Sequence, residues 1–232
     1  MAIIPSAALV FDLDDTLFPE RDFVLSGFQA VGDWLETNLS LGGFADVARA
    51  IYLRGERARI FDLALAQLKR EGKPDLIAQL VRVYREHQPS LSLHPDARWA
   101  LEAFRSSHKT GLLTDGYLET QRRKVASLGL DNAFDAIVYT DTFGRAHWKP
   151  SPQPYRTMME RLGCPGNRCA YVGDNPAKDF VAANALGWQT IQIEREDGEY
   201  REVNAGKEYQ AQHTIRSLFE LEGLMRILYH GT

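Results

Sequence analysis

Apolar positions in this chain follow two rhythms, and the change from one to the other divides it. Ala7 to Phe11 is an unbroken apolar run that stops at Asp12, the pattern of a strand covered on both faces in a parallel sheet. After Phe18 the spacing becomes helical. Val24, Phe28, Val31 and Leu35 recur at steps of four, three and four, and Ile77, Leu80, Val81 and Tyr84 form a second stripe. Phe61, Leu65 and Leu68 mark another, and Val47 with Ile51 one more, with breaks at Gly42-Gly43, Gly55 and Gly72-Lys73-Pro74. Residues 19 to 91 therefore read as an insertion of four or so helices.

From Pro95 onward, helical and strand patterns alternate. A helix near 95 to 106 precedes the short run Gly111-Leu112-Leu113; a helix near 118 to 128 precedes Ala136 to Tyr139. Ser151-Pro152 supplies a capping residue and a first-turn proline for a helix ending near Gly163. Ala170 to Val172 is the next strand. Asn175-Pro176 repeats the cap-and-proline signal for a helix to about Leu186 with Gly187 as its stop, and Thr190 to Ile193 is the strand after it. Residues 194 to 210 read as a charged loop, and Ser217 to Glu220 as a capping box opening a last helix through Leu228. Strands alternating with helices require parallel pairing through right-handed crossovers. The fold class is thus α/β, a doubly wound parallel sheet built from residues 1–18 and 92–232, with residues 19–91 as an inserted helical domain.

Composition removes several partners. The 232 residues hold 27 Lys+Arg against 31 Asp+Glu, a net charge of −4, with no basic run suited to a row of phosphates. Nucleic acid is not expected. The N-terminus lacks a basic segment, Pro5 interrupts its apolar residues and Asp12 ends them, so no secretory signal, no membrane span and a cytoplasmic location are expected. Cys164 and Cys169 lack the second pair or nearby histidines of a zinc site and read as reduced structural thiols. Nucleotide loops of the G-x-x-x-x-G-K and G-x-G-x-x-G types and the H-E-x-x-H zinc motif are absent.

Chemistry gathers where the strands end. Asp12 and Asp14 follow the first strand; being two apart in extended chain, their side chains point the same way about 7 Å apart. Thr114-Asp115-Gly116 follows Leu113, and Gly173-Asp174 follows Val172. In a parallel sheet these groups share one edge, where ligands of such sheets sit.

The segment D-L-D-D-T-L from Asp12 resembles the first motif of the haloacid dehalogenase superfamily. L-T-D-G, H-W-K-P and G-D-N-P-A-K-D then follow in that family's order. The resemblance implies a phosphohydrolase in which Asp12 is the nucleophile and Asp14 the general acid, then base. It implies that Thr114, with the N–H groups of Asp115 and Gly116, holds the phosphoryl oxygens, and that Lys149 offsets their charge. Asp12, Asp174 and the Asp14 carbonyl would ligate Mg²⁺, a hard cation suited to oxygen donors, with Asp179 one helical turn further on as an outer partner. The insertion resembles the helical cap of such enzymes.

What it implies as substrate is a small phosphorylated metabolite, met by a monomer or homodimer. A sugar phosphomutase of the same fold is the alternative, then a 2-haloacid dehalogenase, which would need neither Asp14 nor Asp174, or a non-catalytic metabolite-binding protein. A phosphonate-cleaving enzyme would want a cap lysine, and nothing marks Lys69 or Lys73 as one. His94 and His147 find no role in this scheme. Arg54, Arg57 and Arg59 are candidates to grip an anionic substrate, though such spacing is more often a solvated helical face. Residues 19–91 hold ten basic and ten acidic residues, so global charge does not attract an anionic substrate.

Overall fold

The computed structural model describes residues 7–196, 198–200 and 205–230. Its contacts divide the chain into two units, residues 1–19 with 92–232, and residues 20–91.

The second unit consists of α1 (Glu20–Leu39), α2 (Phe44–Leu53), α3 (Ile60–Gln67) and α4 (Pro74–Glu86). The stripes read from the sequence supply its core: Phe28, Val31, Leu35, Ile51, Leu65 and Leu80 are buried together, joined by Phe44 and Tyr52. Gly43 takes φ 80, a left-handed conformation that costs glycine little, as α2 begins.

The first unit is a six-stranded sheet of β1 (Ala8–Phe11), β2 (Lys109–Thr114), β3 (Ala136–Tyr139), β4 (Cys169–Gly173), β5 (Gln189–Ile193) and β6 (His213–Ile215). The strand order is β3-β2-β1-β4-β5-β6 with every pairing parallel. This is the doubly wound order, whose direction reverses beside β1 and opens a crevice at the strands' carboxyl ends. Its helices are α5 (Pro95–Phe104), α6 (Leu118–Ser127), α7 (Gln153–Leu162), α8 (Val181–Ala185) and α9 (Leu221–His230). Tyr155, Tyr171 and Trp188 are fully buried, and Tyr155 meets the other two rings edge-on at 5.3 and 5.7 Å. A large apolar side chain fully buried in this way contributes about 1.5–3 kcal/mol.

Three local expectations change. Asn175-Pro176 does not start a helix; residues 176–180 form turns, and α8 begins only at Val181. The Asn175 side chain accepts from Ala177 N at 3.0 Å as a capping residue does, and Asp179 N closes one turn on Asn175 O at 3.0 Å, but the helix does not continue from there. Helix α7 begins at Gln153, after Pro152, with Ser151 Oγ accepting from Gln153 N at 3.4 Å. The short edge strand β6 has no apolar run to announce it. The Ser217–Glu220 capping box is formed on both sides, opening a 3-10 turn before α9. The charged stretch 194–210 lies partly outside the described residues. Among the described residues no helix is long and apolar enough to cross a membrane.

Candidate active site

Thr114 ends β2, Asp12 follows β1 and Asp174 follows β4, and these three strands are neighbours at the centre of the sheet. Asp12 N donates to Val172 O at 2.8 Å, extending the ladder one residue beyond β1 and fixing the Asp12 backbone. Leu13 is fully buried, so the alternation of extended chain turns it inward. Asp15 then takes φ 50 and Leu17 N donates to Leu13 O, turning the chain away from the sheet.

Lys149 reaches the Asp12 carboxylate. Its Nζ donates to Asp12 Oδ1 at 2.5 Å, to Tyr171 Oη at 2.6 Å and to Asp179 Oδ1 at 2.9 Å. Burial works against the Lys149 charge, but Asp12 and Asp179 outweigh it and hold the ammonium well above its ordinary range. Burial pushes the Asp12 carboxyl up to about 7, the nearby Lys149 bringing it down only in part while Asp179 adds to the rise.

Asp12, Asp174 and Asp179 place carboxylate oxygens within 4.8 Å of one another. Of these, Asp12 and Asp179 share the Lys149 ammonium, and the Lys178 ammonium also acts on Asp12 and Asp174. Asp174 Oδ2 is buried with no hydrogen-bond partner among the described residues, and burial, then Asp179 and Asp12, drive its carboxyl well above the ordinary range. A buried carboxylate oxygen without a donor is costly, and an all-oxygen set of this kind fits a hard divalent ion such as Mg²⁺.

Asp179 sits in the turn segment rather than one turn along a helix, as its spacing suggested. Its Oδ1 accepts from Lys149 Nζ and its Oδ2 from Asn175 N at 2.9 Å, while its carbonyl accepts from Tyr155 Oη at 2.7 Å. Both carboxylate oxygens are engaged, which suits an orienting role better than direct ligation. Gly173 makes room for it, since a Cβ there would lie 2.6 Å from Asp179 Oδ2.

Asp115 turns its side chain to the loops. Oδ1 accepts from Lys149 N at 3.0 Å and Thr140 Oγ1 at 2.7 Å, and Oδ2 lies 3.5 Å from Lys178 Nζ. One carboxylate thereby ties together the segments carrying Thr114, Lys149 and Asp174. Gly116 takes φ 132, which favours glycine, and Thr114 Oγ1 accepts from Gln121 Nε2 at 2.5 Å. The Asp14 carboxylate accepts from Lys124 Nζ at 2.6 Å and from Gln121 Nε2 at 2.9 Å.

Sequence reasoning missed Gln121, Lys124 and Lys178. Lys178 stands inside G-D-N-P-A-K-D; burial and Lys149 work against its charge, but Asp179, Asp12 and Asp115 outweigh them and raise it. Gln121 and Lys124 lie three apart on α6, directly after the Thr114 loop, and that spacing was their only signal. Of the other candidates, some have local partners. In the helical unit, Arg57 stacks 4.1 Å from the Tyr52 ring centroid and donates to its carbonyl, and Arg59 lies 3.6 Å from Asp62. His94 occupies the N-cap position of α5 with its N–H on Leu17 O, and His147 is exposed. Cys164 and Cys169 are buried and form no disulfide among the described residues.

A family model described as haloacid dehalogenase-like hydrolase matches residues 7–187. A glyceraldehyde 3-phosphate phosphatase from Methanocaldococcus jannaschii is 27% identical over 95% of this chain and 97% of its own length. An (S)-2-haloacid dehalogenase from Burkholderia cepacia is 28% identical over 70% of this chain and 66% of its own. Among solved structures, a haloacid dehalogenase phosphatase from Thermococcus onnurineus superposes with a TM-score of 0.63 at 26% identity, covering 94% of this chain and 97% of that one.

Proposed function

This chain belongs to the haloacid dehalogenase-like hydrolases, and we propose that within that family it is a Mg²⁺-dependent phosphohydrolase of small phosphorylated metabolites working through an aspartyl phosphate. The carrying observation is the arrangement of Asp12, Lys149, Asp179 and Asp174, one buried ammonium bracketed by carboxylates and one carboxylate oxygen with no donor among the described residues.

Lys149 neutralises the repulsion that an anionic Asp12 would meet on approaching an anionic ester, which is severe in a dry site. Asp12 Oδ attacks phosphorus, the bond from phosphorus to the ester oxygen breaks, and Asp14 protonates that departing oxygen. Asp14 then takes a proton from water as the water attacks the phosphoryl group on Asp12, releasing phosphate and restoring the carboxylate. Thr114 and the N–H groups of Asp115 and Gly116 receive the phosphoryl oxygens. Bound Mg²⁺, held by Asp12, Asp174 and the Asp14 carbonyl, would supply positive charge to the transferring group.

Two relatives matched over nearly their whole length, one named for glyceraldehyde 3-phosphate and one for ribulose 1,5-bisphosphate, support a small sugar phosphate as the substrate class. The helical unit, residues 20–91, is assigned to choosing it, and the protein to the cytoplasm. A dehalogenase would leave Asp14 and Asp174 without work. Phosphate release from a panel of phosphorylated metabolites, with and without Mg²⁺, tests the proposal: metal-dependent release supports it, and no release from any member removes it. Transfer of the group to a sugar phosphate instead of water would favour the mutase alternative.

A further inference from the structure

Lys124 is a charged side chain that is almost wholly buried. It is 3% exposed, lies 5.9 Å from the centroid of the buried Phe18 ring, and puts Nζ 2.6 Å from Asp14 Oδ1. Stability alone does not account for it. A buried ion pair is usually worth no more than apolar side chains of the same volume, because desolvation cancels the attraction. Gln121, 2% exposed and on the same face of α6, donates to the other Asp14 oxygen and also to Thr114 Oγ1. Its side chain packs under the Thr114 loop, where a Cβ on Gly116 would come within 3.4 Å of it. The helix itself is anchored, with Leu118 N donating to Asp141 Oδ2 at 2.9 Å and Trp148 Nε1 to Asp141 Oδ1 at 3.0 Å.

Resting on the phosphohydrolase proposal above, we propose that Lys124 and Gln121 are positioning residues that clamp the Asp14 carboxyl group, one donor to each oxygen, so that it meets the departing ester oxygen. Two donors on two oxygens fix the plane of the carboxyl group. Each oxygen keeps a further lone-pair direction for the travelling proton. Gln121 in addition fixes the distance between that carboxyl and Thr114, so the proton donor and the phosphoryl pocket move as one piece. Loss of either clamp leaves Asp14 in place but free to rotate, and a general acid gives its advantage, about 10²–10⁴-fold, only when aligned.

The role predicts selectivity by leaving group. An alkoxide departs poorly without a proton, whereas 4-nitrophenolate departs without help. The experiment measures kcat/KM, which covers steps through ester cleavage, for 4-nitrophenyl phosphate and for an alkyl phosphate taken from the phosphate-release panel. Lys124→Met and Gln121→Leu should each lose at least tenfold more on the alkyl ester than on the aryl ester, and Lys124→Arg should recover part of the difference. The ratio of the two constants does not depend on how much of a preparation is folded, so a destabilised variant still reports. Equal losses on both esters, or none, would overturn the clamp while leaving the phosphohydrolase proposal standing. Asp14→Asn is the reference: if it too loses both esters equally, the general-acid assignment fails and the clamp with it.

Discussion

Asp179 holds the same Lys149 ammonium that reaches Asp12. Its Oδ1 accepts from Nζ at 2.9 Å, and both side chains are fully buried. The backbone of Asp179 is in turn anchored to the core by Tyr155 Oη, and Asn175 N occupies its second oxygen. Asp179→Asn keeps the shape and removes the charge that helps hold the ammonium. It should lower kcat/KM for phosphate release by about 10- to 100-fold, as changes to groups that orient a site typically do. Activity within twofold of wild type would show that Lys149 is positioned without it.

Two glycines separate activity from stability. Gly173→Ala drives a methyl to 2.6 Å from Asp179 Oδ2, so the carboxylate must move; catalysis should fall as for Asp179→Asn, with a stability loss of about 1–3 kcal/mol. Gly166→Ala puts the methyl 2.0 Å from the Leu186 carbonyl oxygen, a backbone clash at a distance along the chain from the site residues. Because the nearest atoms belong to Leu186 and Trp188, neither of them a site residue, it should lower the urea midpoint while folded protein keeps wild-type kcat.

Metal binding has a readout that needs no substrate. Mg²⁺ at a hundredfold excess over its Kd adds about 2.7 kcal/mol to folding by mass action, visible as a rise in Tm. Asp174→Ala should abolish that rise, because it removes the oxygen that has no other partner among the described residues. A wild-type-sized shift in the variant would place the ion elsewhere.

Asp96 links α5 to the start of the last helix. Its Oδ2 accepts from Arg195 Nη1 at 2.7 Å, Leu218 N at 2.8 Å and Ser217 Oγ at 2.9 Å. Burial pushes the Asp96 carboxyl up, but Arg195, the Leu218 N–H and the Ser217 hydroxyl prevail and hold it below the ordinary carboxylate range. A carboxyl depressed in the folded state stabilises above its unfolded pKa, and that contribution disappears as pH falls through the folded value. Asp96→Asn should therefore cost about 2 kcal/mol at pH 7, with the gap from wild type closing below about pH 4. Urea melts at both pH values check it; a constant gap would contradict the linkage.

The sequence disclosed the sheet and the residues at its edge for one reason: the strand runs end at polar groups, and parallel pairing sends those ends the same way. Asp12, Thr114 and Asp174 were legible on that ground. Lys149 needed the resemblance of H-W-K-P, because a lysine in a loop carries no periodicity of its own. The turn at Asn175–Phe180 was misread because Asn and Pro signal a helix start and an isolated turn alike, and only tertiary contacts from Asp179 and Tyr155 decide between them. Lys124 and Gln121 stayed hidden because a helix of mean polar character gives no hint which of its charges faces inward.

The central claim is that Asp12 becomes phosphorylated. Acid-quenching the enzyme during turnover of its best substrate with Mg²⁺, followed by peptide mass spectrometry, tests this directly. The expected result is a single phosphoryl group on the peptide carrying Asp12, absent from Asp12→Asn, which should also release no phosphate. Normal turnover by Asp12→Asn, or a phosphoryl group trapped on another residue, would contradict it.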